Sequence, residues 1–248
     1  MNYQSMPNAG NQGGLAVTES GLIQVRGVTR VYRQGTLEVH ALRGVDMDLE
    51  EGEFTALVGP SGSGKTTLLN LIGVLDKPDS GTITVAGQDV SQFDRGEAAE
   101  FRLDTVGFIF QAYNLVPVLT AYENAEFTLL LRGVPTGERR KRVMSLLDRV
   151  GLADTADRKP HELSGGQQQR VAVVRALATE PRLVLADEPT ANLDSETSAE
   201  LMELMRELNG ELGTTFLFST HDPVVFNRSR RLIRLLDGHI DGAADDVM

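Results

Sequence analysis

Apolar and polar residues alternate along several short stretches of the chain, which is the pattern of strands with one buried face. Ile23 and Val25 alternate with polar neighbours, and the residues at 45–50 repeat the pattern. A third alternating run, at 82–85, follows a turn-forming segment at 77–81 that contains proline and glycine. From these runs we predict two short antiparallel ribbons that lie beside the remainder of the domain.

Other stretches are apolar without alternation, which is typical of strands buried on both faces of a parallel sheet. Such stretches lie at 54–58, 106–110 and 214–219, and a fourth, at 182–188, ends in two acidic residues. A last apolar run ends at an Asp-Gly pair, Asp237-Gly238, which favours a tight hairpin turn. The pattern as a whole predicts an α/β fold with a parallel core sheet.

The residues from 92 to about 162 have the pattern of a helical lobe. Thr120 and Glu123 form a capping-box pair that predicts a helix start, and the apolar residues at 143–150 share one face of a second helix that ends at a glycine. The basic run at 139–142 has two interpretations: contact with phosphate or nucleic acid, or a solvated helix face. We favour the solvated face because acidic residues flank the run and the chain is acidic overall.

Composition narrows the class of protein. The chain has 248 residues, 41% of them hydrophobic and 24% charged, which is typical of an ordinary globular domain. Its net charge of −11 argues against a general nucleic-acid binder and against a protein held on anionic lipid. The sequence has no cysteine, which excludes disulfides and thiolate zinc sites and fits a reducing compartment.

The ends of the chain differ from its middle in composition. Residues 1–20 are rich in Asn, Gln, Gly and Ser and lack the basic-then-apolar pattern of a secretory signal, so we predict a disordered tail. No apolar run approaches the roughly 18 residues that a membrane-spanning helix needs. We therefore expect a single domain over 21–241, followed by a polar tail at 242–248, in a cytoplasmic protein.

The segment GPSGSGKTT has the spacing of a P-loop and lies between a predicted strand and an apolar helical pattern. Its glycines let the backbone N–H groups curl around phosphate oxygens, and the helix dipole adds positive potential at the same place. Lys65 supplies a charge for the β- and γ-phosphates, and the Thr66 hydroxyl is placed to bind Mg²⁺. The predicted nucleotide-binding residues are Gly59, Pro60, Ser61, Gly62, Ser63, Gly64, Lys65, Thr66 and Thr67.

Polar residues follow three of the predicted buried strands, at the edge of the sheet where α/β proteins bind ligands. They are Gln111, the pair Asp187 and Glu188, and His221. Two adjacent carboxylates repel each other unless a cation or distinct roles separate them. One acid that holds Mg²⁺ and one that activates the attacking water would satisfy both conditions. Taken singly, Gln111 and His221 are more typical of solvated or structural positions, and Tyr32, between the predicted ribbons, is more typical of packing.

The segment LSGGQ, at 163–167, predicts a second anion-binding helix start. Ser164 is placed to cap a helix that continues to Leu177, and the two glycines expose the first N–H groups of that helix. Taken alone, the segment is more typical of a glycine-containing loop before a core helix.

The P-loop, the LSGGQ segment and the polar strand ends, in this order, resemble the nucleotide-binding subunits of ABC transporters. The resemblance extends from about Leu22 to Ile240. It implies a P-loop NTPase (RecA-like) core with a parallel sheet, an antiparallel β subdomain and an inserted ABC-type helical subdomain at about 92–175. It also implies that two copies pair head to tail, with each ATP between the P-loop of one copy and the LSGGQ segment of the other.

The same resemblance implies a role for each site residue. Tyr32 corresponds to the aromatic residue that stacks on adenine. The implied catalytic residues are Glu188, His221, Gln111 and Lys65. The implied contacts to Mg²⁺ are Thr66, Gln111 and Asp187. The residues implied to reach the ATP of the second copy are Ser164, Gly165, Gly166, Gln167 and Asp194.

Two further segments narrow the resemblance. The run at 186–194, ADEPTANLD, and the run at 107–115 are similar to the macrolide-exporter and lipoprotein-releasing group (MacB, LolD), whose relative FtsE acts in cell division. Ala191 stands where this group has glycine, and Val174 where alanine is common, which puts the packing of the dimer interface in question but not the chemistry. No contact with nucleic acid is expected.

The group implies an ATPase that drives a separately encoded integral membrane permease in export, lipoprotein release or mechanotransmission, and that is peripheral on the inner face of the cell membrane. Two alternatives stay open: an ABC ATPase that regulates cell division without moving a substrate, and one that acts on nucleic acid or ribosomes. The acidic balance and the single cassette disfavour the second.

Overall fold

The computed structural model describes residues 21–35, 37–222 and 226–245. The tail predicted at 1–20 lies outside the described residues, as does the part of the predicted polar tail at 246–248. Within the described ranges, no helix is long and apolar enough to cross a membrane.

The described residues form two β-sheets and six α-helices. The strands are β1 (Ile23–Gln34), β2 (Leu37–Leu49), β3 (Phe54–Val58), β4 (Ser80–Val85), β5 (Gln88–Asp89), β6 (Val106–Phe110), β7 (Leu183–Asp187), β8 (Thr215–Thr220), β9 (Arg231–Leu236) and β10 (His239–Asp245). The helices are α1 (Lys65–Ile72), α2 (Arg95–Thr105), α3 (Ala121–Leu131), α4 (Thr136–Arg149), α5 (Gly165–Leu177) and α6 (Ser195–Leu212). Short 3₁₀ turns lie at 153–155 and 160–162.

The predicted ribbons are joined in one antiparallel sheet, in the order β2-β1-β4-β5. β1 pairs with β2 along one edge and with β4 along the other, so that Ile23 lies between Leu49 and Val85. All three side chains are buried on the same side of the sheet. The prediction of two separate ribbons is therefore wrong, because the strands share β1 in order to bury one common apolar face.

The second sheet has the order β10-β9-β3-β8-β7-β6, and the five strands from β9 to β6 run parallel. Alternate residues serve two cores: Phe54, Phe216 and Phe218 pack on one face, whereas Leu57 and Leu217 pack on the other. The rings of Phe54 and Phe218 meet edge to face with their centroids 4.4 Å apart. Burial on both faces is the reason that these strands lack alternation in the sequence.

Two predicted boundaries differ from the structure. The helical subdomain predicted at about 92–175 contains β6, which is an edge strand of the parallel sheet and not part of the lobe. At the C-terminal end, β10 pairs with β9 through Asp245, beyond the predicted end of the domain at 241. The Asp237-Gly238 turn between these two strands forms a hairpin, as predicted.

The helical lobe contains the predicted local signals. Thr120 accepts a hydrogen bond from the backbone N–H of Glu123 and completes the capping box of α3. Gly151 follows α4 with φ 72°, the left-handed conformation that glycine tolerates best. In the basic run, Arg139 pairs with Glu126 at 2.7 Å, while the next two basic residues are exposed.

Candidate nucleotide-binding site

The P-loop joins the end of β3 to the start of α1, as its sequence predicts. Its backbone lies so close to neighbouring chain that side chains are excluded at two glycines. A Cβ atom at Gly59 would lie 2.1 Å from the carbonyl oxygen of Leu235, and one at Gly64 would lie 2.5 Å from that of Ala41. Gly64 also has φ 107° at the N-cap of α1. These glycines are therefore required by the fold as well as by the phosphate that the loop would bind.

Lys65 opens α1, and only 7% of the residue is exposed. Its Nζ donates to the carbonyl oxygens of Gly59 at 2.8 Å and Pro60 at 3.1 Å. The same atom lies 3.9 Å from Oε1 of Glu188. The ammonium group is thus held at the mouth of the P-loop, next to a catalytic carboxylate candidate.

Asp187 ends β7 beside the P-loop and accepts two hydroxyl hydrogen bonds. The Oγ1 of Thr66 donates to Oδ1 of Asp187 at 3.0 Å, and the Ser219 hydroxyl donates to the same oxygen. Ser219 was not among the residues predicted from the sequence. Its position in β8, directly opposite Asp187 in the parallel register, could have indicated it once the strand pairing was assumed.

Glu188 has φ 47°, a left-handed backbone conformation that is uncommon outside glycine and that clusters at functional sites. Its backbone N–H donates to the carbonyl oxygen of Ser219, which fixes the turn. Its carboxylate Oε1 lies 2.8 Å from Nδ1 of His221, whose own side chain is 66% exposed. The structure therefore brings together two of the four predicted catalytic residues, although 32 residues separate them in the sequence.

One open cavity of about 520 Å³ brings most of the predicted site residues together. The predicted residues that line it are Tyr32, Ser61, Gly62, Gly64, Lys65, Thr66, Thr67, Gln111, Glu188 and His221. Gly59 and Pro60 line a neighbouring cavity of about 460 Å³, which His221 also reaches. Ser63 is buried within the loop. Val39 and Ala41 also line the main cavity and were not identified from the sequence.

The segment at 164–167 has the predicted helix-capping geometry. Ser164 Oγ accepts from the backbone N–H of Gln167 at 3.2 Å, and Gln167 Oε1 accepts from the backbone N–H of Ser164 at 3.0 Å. None of the residues at 164–167 is among those that line the main cavity. The two phosphate-binding helix starts predicted from the sequence thus do not share a cavity in a single copy.

Asp194 caps α6 and is also not among the residues that line the cavity. The backbone N–H and the hydroxyl of Thr197 both donate to its carboxylate. These hydrogen bonds hold the pKa of Asp194 below its ordinary value. The side chain is exposed, so the acid is available to a second molecule.

Two hydrogen bonds, one buried and one exposed, connect the loops around the site. Gln169, on α5, donates from Nε2 to the carbonyl oxygen of Pro189 at 2.6 Å, next to Glu188. Asn192 donates from Nδ2 to the carbonyl oxygen of Gln111 at 2.8 Å. The helix that begins at the LSGGQ segment is therefore linked to the strand end that carries Glu188, and the loop before α6 is linked to the strand end that carries Gln111.

Comparison with known proteins identifies the family. Residues 42–191, more than half of the chain, match the family model described as ABC transporter. The chain is 45% identical to lipoprotein-releasing system ATP-binding protein LolD 1 of Rhodopseudomonas palustris, over 89% of this chain and 99% of that protein. It is 48% identical to macrolide export ATP-binding/permease protein MacB of Nitrosomonas europaea over 91% of this chain, but it spans only 34% of that longer protein.

A solved structure gives the same result at the level of the fold. The chain superposes with a TM-score of 0.83, at 42% identity, on the ATP-binding cassette MJ0796, which was solved as a dimer in a post-hydrolysis state bound to ADP and phosphate. The alignment covers 90% of this chain and 98% of that one. The family and fold predicted from the sequence are confirmed, and the chain belongs to the ABC transporter family.

Proposed function

We propose that this chain is the ATP-binding and ATP-hydrolysing subunit of an ABC transporter, and that two copies close head to tail around two ATP molecules. The observation that carries this proposal is the division of the phosphate-binding groups. Lys65, Glu188 and His221 meet at one cavity, whereas the capped helix start at 164–167 lies elsewhere on the same copy. A second copy would supply that helix start to the cavity, and relatives named MacB and LolD and the dimeric cassette MJ0796 support this assembly.

In this proposal the P-loop binds the phosphates through its backbone N–H groups, and Lys65 leaves its carbonyl partners to pair with the β- and γ-phosphates. Glu188 accepts a proton from a water molecule as the water oxygen bonds to the γ-phosphorus. The bond from that phosphorus to the β–γ bridging oxygen breaks, and ADP leaves with the electron pair. His221, held by Glu188, donates a hydrogen bond to the transferring phosphoryl group and orients it.

The residues next to the γ-phosphate position suit magnesium. Thr66, Gln111 and Asp187 offer hydroxyl, amide and carboxylate oxygens, which are the ligands that Mg²⁺ prefers, and Thr66 already contacts Asp187. Among the described residues there is no cluster of three or more acidic or histidine side chains that could hold a metal unaided. A magnesium ion here would therefore share its coordination with the nucleotide phosphates and water, and it would neutralise charge on the transferring phosphoryl group.

The base of ATP would stack on Tyr32, which lines the same cavity. Tyr32 is 37% exposed and is therefore accessible to a ligand. Stacking on an aromatic face is tolerant of base identity, since every base has a π-face.

Coupling to a permease would pass through the loop at 111–114, next to the helical lobe. Tyr113 and Asn114 have φ 58° and 51°, and the guanidinium of Arg175 donates to both of their carbonyl oxygens. Burial lowers the pKa of Arg175, and the two carbonyls solvate its charge. This loop thus holds a defined shape that could transmit movement from Gln111. The permease would be a separate chain, and this subunit would lie on the cytoplasmic face of the membrane.

Mixing inactive variants tests the proposed sharing of sites. Lys65→Ala removes the phosphate-binding lysine, and Ser164→Arg places a bulky side chain over the N–H groups at the start of α5. Each variant alone should lack ATPase activity, but a mixed dimer would contain one intact site, so phosphate release should reappear on mixing. A mixture of Lys65→Ala with Glu188→Gln is the matched control, because it leaves a defect in both sites. Failure of the first mixture to regain activity would contradict the head-to-tail dimer.

A further inference from the structure

Tyr32 is held by a cluster of charged residues that lies outside the cavity. Its hydroxyl donates to Oδ2 of Asp76 at 2.9 Å. Two nitrogens of Arg30 donate hydrogen bonds to Asp76, at 3.1 and 2.8 Å, and a third donates to Asp79 at 2.9 Å. Asp79 in turn accepts from the backbone N–H of Val31 at 2.6 Å. Each polar group in the cluster therefore contacts another member, and the side chain of Arg30 is only 21% exposed.

Arg30 also lies over the Tyr32 ring, with its guanidinium carbon 4.8 Å from the ring centroid. A cation on an aromatic face at this distance is attracted by the ring quadrupole. Burial lowers the pKa of Arg30, but the hydrogen bond to Tyr32 and the charges of Asp76 and Asp79 raise it above its usual value overall. The charge on Arg30 is thus stabilised by the groups that it touches.

Tyr32 also lines the cavity, although the residues that hold it do not. Val39 pairs with Tyr32 across β1 and β2, and Val39, Ala41 and Tyr32 all line the cavity, whereas Arg30 does not. Side chains that are direct cross-strand partners lie on the same face of a sheet. One face of the ring is therefore occupied by the guanidinium, while the ring still presents surface to the cavity beside two small apolar side chains.

We propose that Arg30, Asp76 and Asp79 form a brace that fixes the Tyr32 ring for purine stacking before nucleotide binds, so that they are positioning residues for the base. The proposal rests on the proposed function, in which Tyr32 receives the base. The brace lowers the ordering cost of binding because the ring is already held at its hydroxyl and over one face.

The brace also connects Tyr32, the proposed base site, to the phosphate site. Asp76 and Asp79 lie in the turn that follows α1, the helix that begins at Lys65. An eight-residue helix is about 12 Å long and is stiff, so it sets the separation between the phosphate cradle at one end and the brace at the other. The distance between the base site and the triphosphate site is thereby determined by the protein before any ligand binds.

Binding measurements with two ligands test the brace. We would titrate ATP and inorganic tripolyphosphate, which has no base, into the wild-type chain and into Arg30→Met, Arg30→Lys and Tyr32→Phe. Arg30→Met should weaken ATP binding about three- to tenfold, the range expected for a lost cation–π contact with its charged hydrogen bonds, and leave tripolyphosphate binding unchanged. Arg30→Lys should recover part of the loss, and Tyr32→Phe, which lacks only the hydroxyl, should weaken ATP binding by less than Arg30→Met.

Arg33→Met is the matched control. Arg33 lies on the same strand and forms an exposed ion pair with Glu38 at 3.0 Å, so its loss should leave the affinity for both ligands unchanged. Thermal unfolding of each variant would exclude a general loss of structure as the cause of weaker binding.

The outcomes separate the brace from the role of Tyr32 itself. Tyr32→Ala should weaken ATP binding about tenfold through lost stacking while leaving tripolyphosphate binding unchanged. If Tyr32→Ala binds ATP normally, the assigned base site is wrong. If Tyr32→Ala weakens ATP binding but Arg30→Met does not, the base site stands and the brace is overturned. Equal loss of ATP and tripolyphosphate binding in Arg30→Met would also overturn the brace.

Discussion

Glu188 is the central residue of the proposed mechanism, because its left-handed backbone places the carboxylate between Lys65 and His221. In Glu188→Gln the amide keeps the shape of the side chain but cannot accept the proton of the attacking water. We expect ATP hydrolysis to fall about 10²- to 10⁴-fold, with ATP binding retained. Phosphate release and equilibrium ATP binding would measure the two effects.

Glu180 provides the control for this prediction. It is a second glutamate with a left-handed backbone, φ 54°, but it pairs with Arg142 on the surface and is not among the residues that line the cavity. Glu180→Gln should therefore hydrolyse ATP at the wild-type rate. Near-normal turnover in Glu188→Gln would contradict the proposed mechanism.

At the residue scale, the sequence predicted the parts of the site that are local in the chain. The P-loop and the LSGGQ segment depend on contacts within a few residues, so their composition reveals them. The brace does not have this property: Arg30 and Asp76 are 46 residues apart and meet only because β1 lies beside the turn after α1. An arginine on a half-exposed strand and an aspartate in a turn carry no signal of their own.

At the scale of elements, α5 packs so closely on β6 that Gly107 has no room for a side chain. A Cβ there would lie 2.3 Å from the carbonyl oxygen of Ala176, in the helix backbone. Gly107→Ala should therefore push α5 away from the sheet and lower the free energy of unfolding by about 1–3 kcal/mol. Denaturant unfolding would measure the change.

Gly210 offers the opposite case in the same fold. It lies on the exposed side of α6, where a Cβ atom would have no atom within 4 Å apart from its chain neighbours and the backbone of its own helix. Gly210→Ala should stabilise the protein by up to about 1 kcal/mol, since alanine is the better helix former. If Gly107→Ala and Gly210→Ala changed the free energy of unfolding equally, the close packing of α5 on β6 would be contradicted.

The cap of α6 should make the stability of the folded protein depend on pH in the acid range. Hydrogen bonds from Thr197 hold the folded pKa of Asp194 below its ordinary value of 3.8. A depressed carboxylate pKa adds stability that is present above the unfolded value and is lost as the pH falls through the folded one. The stability advantage of the wild type over Asp194→Asn should therefore shrink as the pH drops below 3.8, and thermal unfolding across that range would measure it. A stability difference between the two proteins that stays constant with pH would contradict this prediction.

Element types were predicted well, and element partners less well. Alternation indicated the strands at 23–25 and 82–85, but it does not say which edge of β1 each neighbour takes, so one sheet was interpreted as two ribbons. β6 was recognised as a buried strand, yet the predicted helical subdomain enclosed it. Its place in the sheet depends on pairing with β7, whose first residue is 77 positions after the first residue of β6. Pairing at such distances is decided by the packed structure rather than by local pattern.

At the scale of the whole molecule, the net charge bears on the proposed dimer. Each copy carries a charge of −11, so two copies repel each other at a distance. We expect the ATP-bound dimer of Glu188→Gln to become more stable as the salt concentration rises from about 0.05 to about 0.3 M, because screening shortens the reach of this repulsion. Sedimentation at both salt concentrations would measure the dimer fraction, and a dimer that weakens with salt would show that ion pairs across the interface dominate.

The capped helix start at 164–167, which is not among the residues lining the cavity of its own copy, has a consequence for when ATP is consumed. A site assembled from two copies works only as often as the copies meet, so dilute, unassembled subunits would be idle. A membrane complex that holds two copies side by side would raise their effective concentration into the millimolar range, on the order of that produced by short flexible linkers. Tethering alone would then start ATP hydrolysis, so ATP would be hydrolysed only where a membrane complex is present to be driven.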